Sequence, residues 1–80
     1  MDDAEVIRRI GDLVDEEHRL ERSVGTTGPD DESAGRLRDI EVALDQCWDL
    51  LRQRRARREM GDDPNDAQVR PSQIVEGYQQ

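Results

Sequence analysis

Residues 45 to 58, Asp45-Gln46-Cys47-Trp48-Asp49-Leu50-Leu51-Arg52-Gln53-Arg54-Arg55-Ala56-Arg57-Arg58, decide the fold, because an apolar stripe carrying the only Trp runs into five arginines without a helix breaker. Leu37, Ile40 and Leu44 lead into Cys47, Trp48 and Leu51 at steps of three and four, which puts them on one face of an α-helix. The pattern continues through Ala56 to Met60 and stops at Gly61, with Pro64 just beyond. Upstream, Pro29 is followed by Asp30, Asp31 and Glu32; proline is tolerated in a first turn, and three acids there oppose the positive end of the helix dipole. The spacing predicts a helix over 30–60, ~45 Å long at 1.5 Å per residue.

The same periodicity fills the N-terminal part of the chain. Val6, Ile7, Ile10, Leu13, Val14, Leu20 and Val24 recur at helical spacing behind Asp2, Asp3 and Glu5, and Gly25-Thr26-Thr27-Gly28 supplies a stop. This predicts a helix over 3–23 and a turn over 24–29. Two helices and a short turn make an all-α, antiparallel, coiled-coil-like hairpin over residues 1–60. Residues 61–80, rich in Asp, Gly and Pro, read as an irregular C-terminal extension with at most one helical turn, at Ser72–Glu76. Val69, Ile74, Val75 and Tyr78 are too apolar for a solvated tail, so the extension is expected to lie across the hairpin or a partner subunit.

Composition limits what such a hairpin does alone. In 80 residues, 32% are hydrophobic and none is Phe, too little apolar material for a self-sufficient core. A single hairpin also leaves part of each apolar face uncovered, so a homodimer forming a four-helix bundle is expected. The lone Cys47 excludes an internal disulfide and Cys-rich zinc patterns, and no apolar run is long enough for a signal peptide or a membrane span. The setting that follows is cytoplasmic, without a membrane partner.

Charge narrows the partners. Charged residues make up 40% of the chain and the net charge is −8, which argues against nucleic acid as the ligand of the whole molecule. Residues 1–51 carry fifteen acids against six arginines, whereas residues 52–58 carry five arginines and no acid. Only that block attracts phosphate. Projected on the helix, Arg54, Arg55 and Arg58 share the face of Leu37, Ile40, Leu44 and Cys47, and an antiparallel hairpin brings them to Asp2 and Asp3. These five residues are expected to form structural ion pairs, leaving Arg52 and Arg57 for outside contacts.

The core is expected from Val6, Ile10, Leu13, Leu20, Leu37, Ile40, Leu44, Cys47, Trp48 and Leu51, with one anomaly. Glu17 stands at the centre of the first stripe, where a polar residue fixes register or oligomeric state. A metal-binding bundle using Glu17 with His18, Glu21 or the Glu17 of a second chain is a minor alternative, since Asp15 rather than Glu precedes His18 by three residues. No metal or cofactor is expected. Nor is an enzyme: Cys47 lies on a buried face, there is no second His to activate a nucleophile, and the glycines match no phosphate-cradling fingerprint.

The segments Leu13-Val14-Asp15-Glu16-Glu17-His18-Arg19-Leu20, Leu44 to Arg58, Val69-Arg70-Pro71 and Val75-Glu76-Gly77-Tyr78 together resemble a family of short actinobacterial proteins catalogued as domain of unknown function 2630. The resemblance covers nearly the whole chain and is most specific at Asp-Gln-Cys-Trp-Asp-Leu-Leu-Arg-Gln-Arg-Arg. It implies a small helical actinobacterial protein and brings no activity, ligand or catalytic residue with it. The function expected is that of a non-catalytic interaction or adaptor protein, binding a protein partner through Arg52, Arg57, Val69, Arg70, Ile74 and Tyr78. The alternative is nucleic-acid association through the Arg52–Arg58 cluster.

Overall fold

The architecture, described for residues 2–28 and 30–71 in a computed structural model, is two long helices laid antiparallel with the C-terminal segment folded back on the second. Ile74, Val75, Tyr78, the Ser72–Glu76 turn and Pro29 lie outside the described residues. Helix α1 spans Asp3–Thr27, helix α2 spans Asp31–Glu59, and a 3-10 turn occupies Pro64–Asp66.

Local chemistry sets each boundary. Asp2 caps α1 by accepting from the Glu5 N–H (2.8 Å), while the Glu5 carboxylate reaches back to the Asp2 N–H, the reciprocal pair of a capping box. The helix runs one turn past the expected end at residue 23. Gly25 is tolerated inside it, and the Thr26 hydroxyl bonds back to the Arg22 carbonyl (2.9 Å). The stop is Gly28, whose φ of +87° suits only a residue without Cβ and whose N–H reaches the Val24 carbonyl (2.8 Å). Asp30 then caps α2 on the Ser33 N–H (2.6 Å), a bond that holds its carboxyl below the usual range.

At the far end of α2, Gly61 takes φ +82° while its N–H meets the Arg58 carbonyl (3.1 Å) and the Asp62 N–H meets the Arg57 carbonyl (2.8 Å). This is a Schellman motif. It reverses the chain, so that residues 64–70 run back along α2 on a side that α1 does not cover.

Between the helices, Val6, Ile10 and Leu50 form the centre of the core, with Val14, Leu44, Cys47, Leu51 and Ala67 packed around them. Leu13 and Ile40 are also buried. Register is fixed near both ends of the hairpin: Asp3 meets Arg54 and Arg58, and Arg36 donates two bonds to Glu16 (2.6 and 2.7 Å).

Six expected core residues differ from the stripe drawn on the sequence: Trp48 is 50% exposed, and Leu20, Leu37, Leu44, Cys47 and Leu51 are only half-buried, the last three packed against the core. Glu17 is likewise half-buried. The cause is thickness: the molecule measures 50 × 25 × 16 Å, and a helix with its side chains is already about 10–12 Å across. Two helices side by side make one layer, so each apolar face is covered along one edge only. Among the described residues, no helix is long and apolar enough to cross a membrane.

Candidate functional site

The arginine-rich end of α2 is where the start of α1, the last turns of α2 and the returning C-terminal segment converge. Arg54 is the hinge of that convergence, at 5% exposure. Its Nε donates to Asp3 Oδ1 (2.5 Å), and its Nη1 donates to the Pro64 carbonyl (3.2 Å) and to Asn65 Oδ1 (3.1 Å). Asn65 is placed for this by the 3-10 turn, whose cap Asp63 accepts from the Asn65 N–H (2.9 Å). Arg58 adds bonds to both oxygens of Asp3 (3.1 and 2.8 Å). The guanidinium groups of Arg58 and Arg54 hold the Asp3 carboxyl below the usual range.

The other two members of the expected ion-pair group go elsewhere. Arg55 pairs with Glu59 of its own helix (3.2 Å), one turn on and well exposed, because its side chain leaves on the open side of α2. Asp2 serves as the α1 cap, and among the described residues no arginine pairs with it.

A second anchor, Asp49, is 1% exposed and was not among the expected site residues. Arg70 donates to it through Nε (2.9 Å to Oδ2) and Nη2, and Gln53 Nε2 donates to Oδ2 as well (2.9 Å). Arg70 pulls the Asp49 carboxyl below the usual range, against the opposing effect of burial and with help from Gln53. Gln53 also holds the Gln68 carbonyl (2.8 Å), and Gln46 Nε2 holds the Arg70 carbonyl (3.2 Å). A polar stripe of Gln46, Asp49 and Gln53, spaced at three and four residues, is therefore the rail on which the segment lies. That spacing was readable in the sequence as a second, polar face, although nothing there named its occupant.

Two surfaces border these anchors. On the open side, Trp48 and Leu51 form the apolar floor of a shallow groove bounded by Asp3, Arg52, Arg55 and Arg58. On the side of the returning segment, Arg52, Gln53 and Ala56 lie beside the Asp49–Arg70 pair. Arg52 is exposed, Arg57 is half-buried, and Val69 is 58% exposed. Ile74 and Tyr78, also expected to bind a partner, lie outside the described residues.

Elsewhere, Glu17, His18 and Glu21 bring one potential ligand atom each within 4.8 Å of one another on α1. Carboxylates gather this way on solvated helices without an ion, so the cluster alone does not make a site. Cys47 is half-buried, and burial pushes its thiol up, away from the thiolate that nucleophilic chemistry needs.

Comparison with known proteins finds similarity in sequence. The family model described as "Protein of unknown function (DUF2630)" matches residues 2–80. The "Uncharacterized protein Rv0898c" of Mycobacterium tuberculosis (strain ATCC 25618 / H37Rv) is 52% identical over 77 residues, covering 95% of this chain and 88% of the relative. The "Uncharacterized protein Mb0922c" of Mycobacterium bovis shows the same identity and coverage. No solved structure matches the chain.

Proposed function

Because the chain belongs to the DUF2630 family, whose description fixes no chemistry, we propose its role from geometry: a non-catalytic helical interaction protein. It works as a homodimer and binds another protein through the arginine-rich end of α2 and the C-terminal segment. The observation that carries this reading is how the segment is mounted. A carboxylate is buried to 1% exposure on a helix to hold Arg70, while the neighbouring Val69 stands 58% exposed. Burying a charge is costly unless it is paired and hydrogen-bonded. Here the cost fixes a strap whose apolar Val69 stays exposed. Such a strap presents a surface more than it completes a core.

The half-exposed Trp48 in a molecule one helical layer thick supports the homodimer, since Trp and Arg are enriched where protein interfaces concentrate their binding energy. Nucleic-acid association has less to work with, as Asp3 already engages Arg54 and Arg58 of the five arginines.

The test is affinity recovery of partners from the source cell with the full chain as bait, alongside Val69→Glu, Arg57→Glu and a chain shortened after Pro71. Removing all of 61–80 is the wrong control, because it strips Asp49 and Arg54 of their partners. Recovery is expected to fall with both substitutions at unchanged helical circular dichroism, and to survive nuclease. Equal recovery by every variant overturns the surface, and nuclease-sensitive recovery transfers the role to the arginine cluster as a phosphate binder.

A further inference from the structure

The open side of α2 carries a pattern that is symmetric in shape and inverted in charge about Trp48. Counting outward, Leu44 lies four residues before it and Leu51 three after; Asp45 lies three before and Arg52 four after; Glu41 lies seven before and Arg55 seven after. At 3.6 residues per turn these positions fall within about one third of the helix circumference. The structure leaves this face open: Glu41, Trp48, Arg52 and Arg55 are exposed, and Leu44, Asp45 and Leu51 are half-buried. α1 covers only one edge of it, where Leu44 and Leu51 pack against the core.

A helix that reads acid, Leu, Trp, Leu, base in one direction reads base, Leu, Trp, Leu, acid in the other. It is therefore complementary to an antiparallel copy of itself, as an isologous two-fold interface requires. We propose that the Trp48 face of α2 docks a second copy of this chain, in an antiparallel contact centred on Trp48 that pairs Glu41 with Arg55 of the partner subunit and Asp45 with Arg52 of the partner subunit. Asp45 and Arg52 miss perfect opposition by one residue, ~1.5 Å along the axis, which an arginine side chain spans. Arg55 is available for the exchange, because its present partner Glu59 and Arg55 itself are 67% and 77% exposed, and such pairs are worth little in water. Among the described residues, no hydrogen bond or ion pair engages Glu41 or Asp45 within the chain, and Arg52 has only a longer-range attraction to Asp49. A parallel pairing would oppose Arg52 to Arg52 and Glu41 to Glu41, so the charge order selects the antiparallel one.

This inference rests on the homodimer proposed above and adds the face and the direction. Sedimentation of the full chain at about 100 μM tests the dimer, and charge exchange tests the face. Glu41→Arg and Arg55→Glu each create two like-charge oppositions per dimer and are expected to weaken self-association about tenfold or more. Mixing the two single variants restores opposite charges at every contact, so the mixture is expected to form heterodimers with an affinity near that of the wild type. Trp48→Ala is expected to weaken association about thirtyfold, with helical circular dichroism of the exposed charge variants as the folding control. A wild-type chain that stays monomeric at this concentration overturns both the dimer and the face. A wild-type dimer indifferent to both exchanges, with no preferential pairing in the mixture, overturns the face alone.

Discussion

Replacing Arg70 by Met removes a cation from a buried carboxylate while keeping much of the apolar stem that covers it. Asp49 is 1% exposed and Arg70 is 32% exposed, so the pair is asymmetric. Without Arg70, Asp49 keeps one bond from Gln53 but cannot reach water freely, a cost of about 2–3 kcal/mol after local relaxation. Without Asp49, Arg70 can turn its head into solvent, so Asp49→Ala is expected to cost about 1 kcal/mol. For a domain of this size, 2–3 kcal/mol is a melting shift of about 10–20 °C. Thermal unfolding by far-ultraviolet circular dichroism reads it, at matched protein concentration because association raises apparent stability.

Acid adds a second readout. Arg70 lowers the Asp49 carboxyl below its ordinary value of 3.8. The pair's contribution is therefore fully present above about pH 4 and is lost as pH falls through the lower folded value. In Arg70→Met, burial acts without the cation and raises that carboxyl. The variant is then penalised most at neutral pH and recovers as Asp49 protonates, so the gap to wild type narrows on acidification. If Asp49→Ala costs more than Arg70→Met, or the gap does not change with pH, the buried-anchor reasoning is refuted.

Two further outcomes follow from the turn and the hinge. Gly61→Ala places a Cβ at φ +82° and is expected to cost about 1–2 kcal/mol, because the reversal after α2 admits only that backbone; a neutral result in denaturant unfolding would remove the Schellman turn as a determinant. Asp3→Ala leaves the 5%-exposed Arg54 with only neutral acceptors and is expected to cost about 2–3 kcal/mol, whereas Glu59→Ala, at an exposed pair, is expected to cost under about 0.5 kcal/mol; equal costs would contradict the burial argument.

Much of the hairpin was legible because two helices with one-sided apolar stripes leave few arrangements. Charge order also indicated the register, since Asp3 and the end of α2 have nowhere better to go than each other. What a helical projection does not contain is the identity of the neighbour on each side. Trp48 and Leu50 both belong to apolar positions of α2, yet α1 and Ala67 cover Leu50 while Trp48 faces outward. Asp49 reads as a polar-face residue until Arg70, 21 residues on, lies down beside it. Asp2 was assigned to an ion pair, whereas its carboxylate caps α1, a role that the Asp2-x-x-Glu5 spacing already carried. Local geometry competes with long-range pairing for the same carboxylate, and at a helix start it wins by proximity.

The three bonds of Arg54 also bear on how the molecule comes apart. One guanidinium ties residue 3 to residues 64 and 65, so the start of α1 and the returning segment close on the same knot. Fraying of the first turn of α1 loosens the cation that holds the strap, and peeling of the strap weakens the anchor of α1. Terminal residues that would ordinarily open independently are thereby joined into one cooperative unit. Amide hydrogens near Glu5 and near Ala67 should exchange with a common opening free energy, as though two distant stretches of sequence were a single piece of structure.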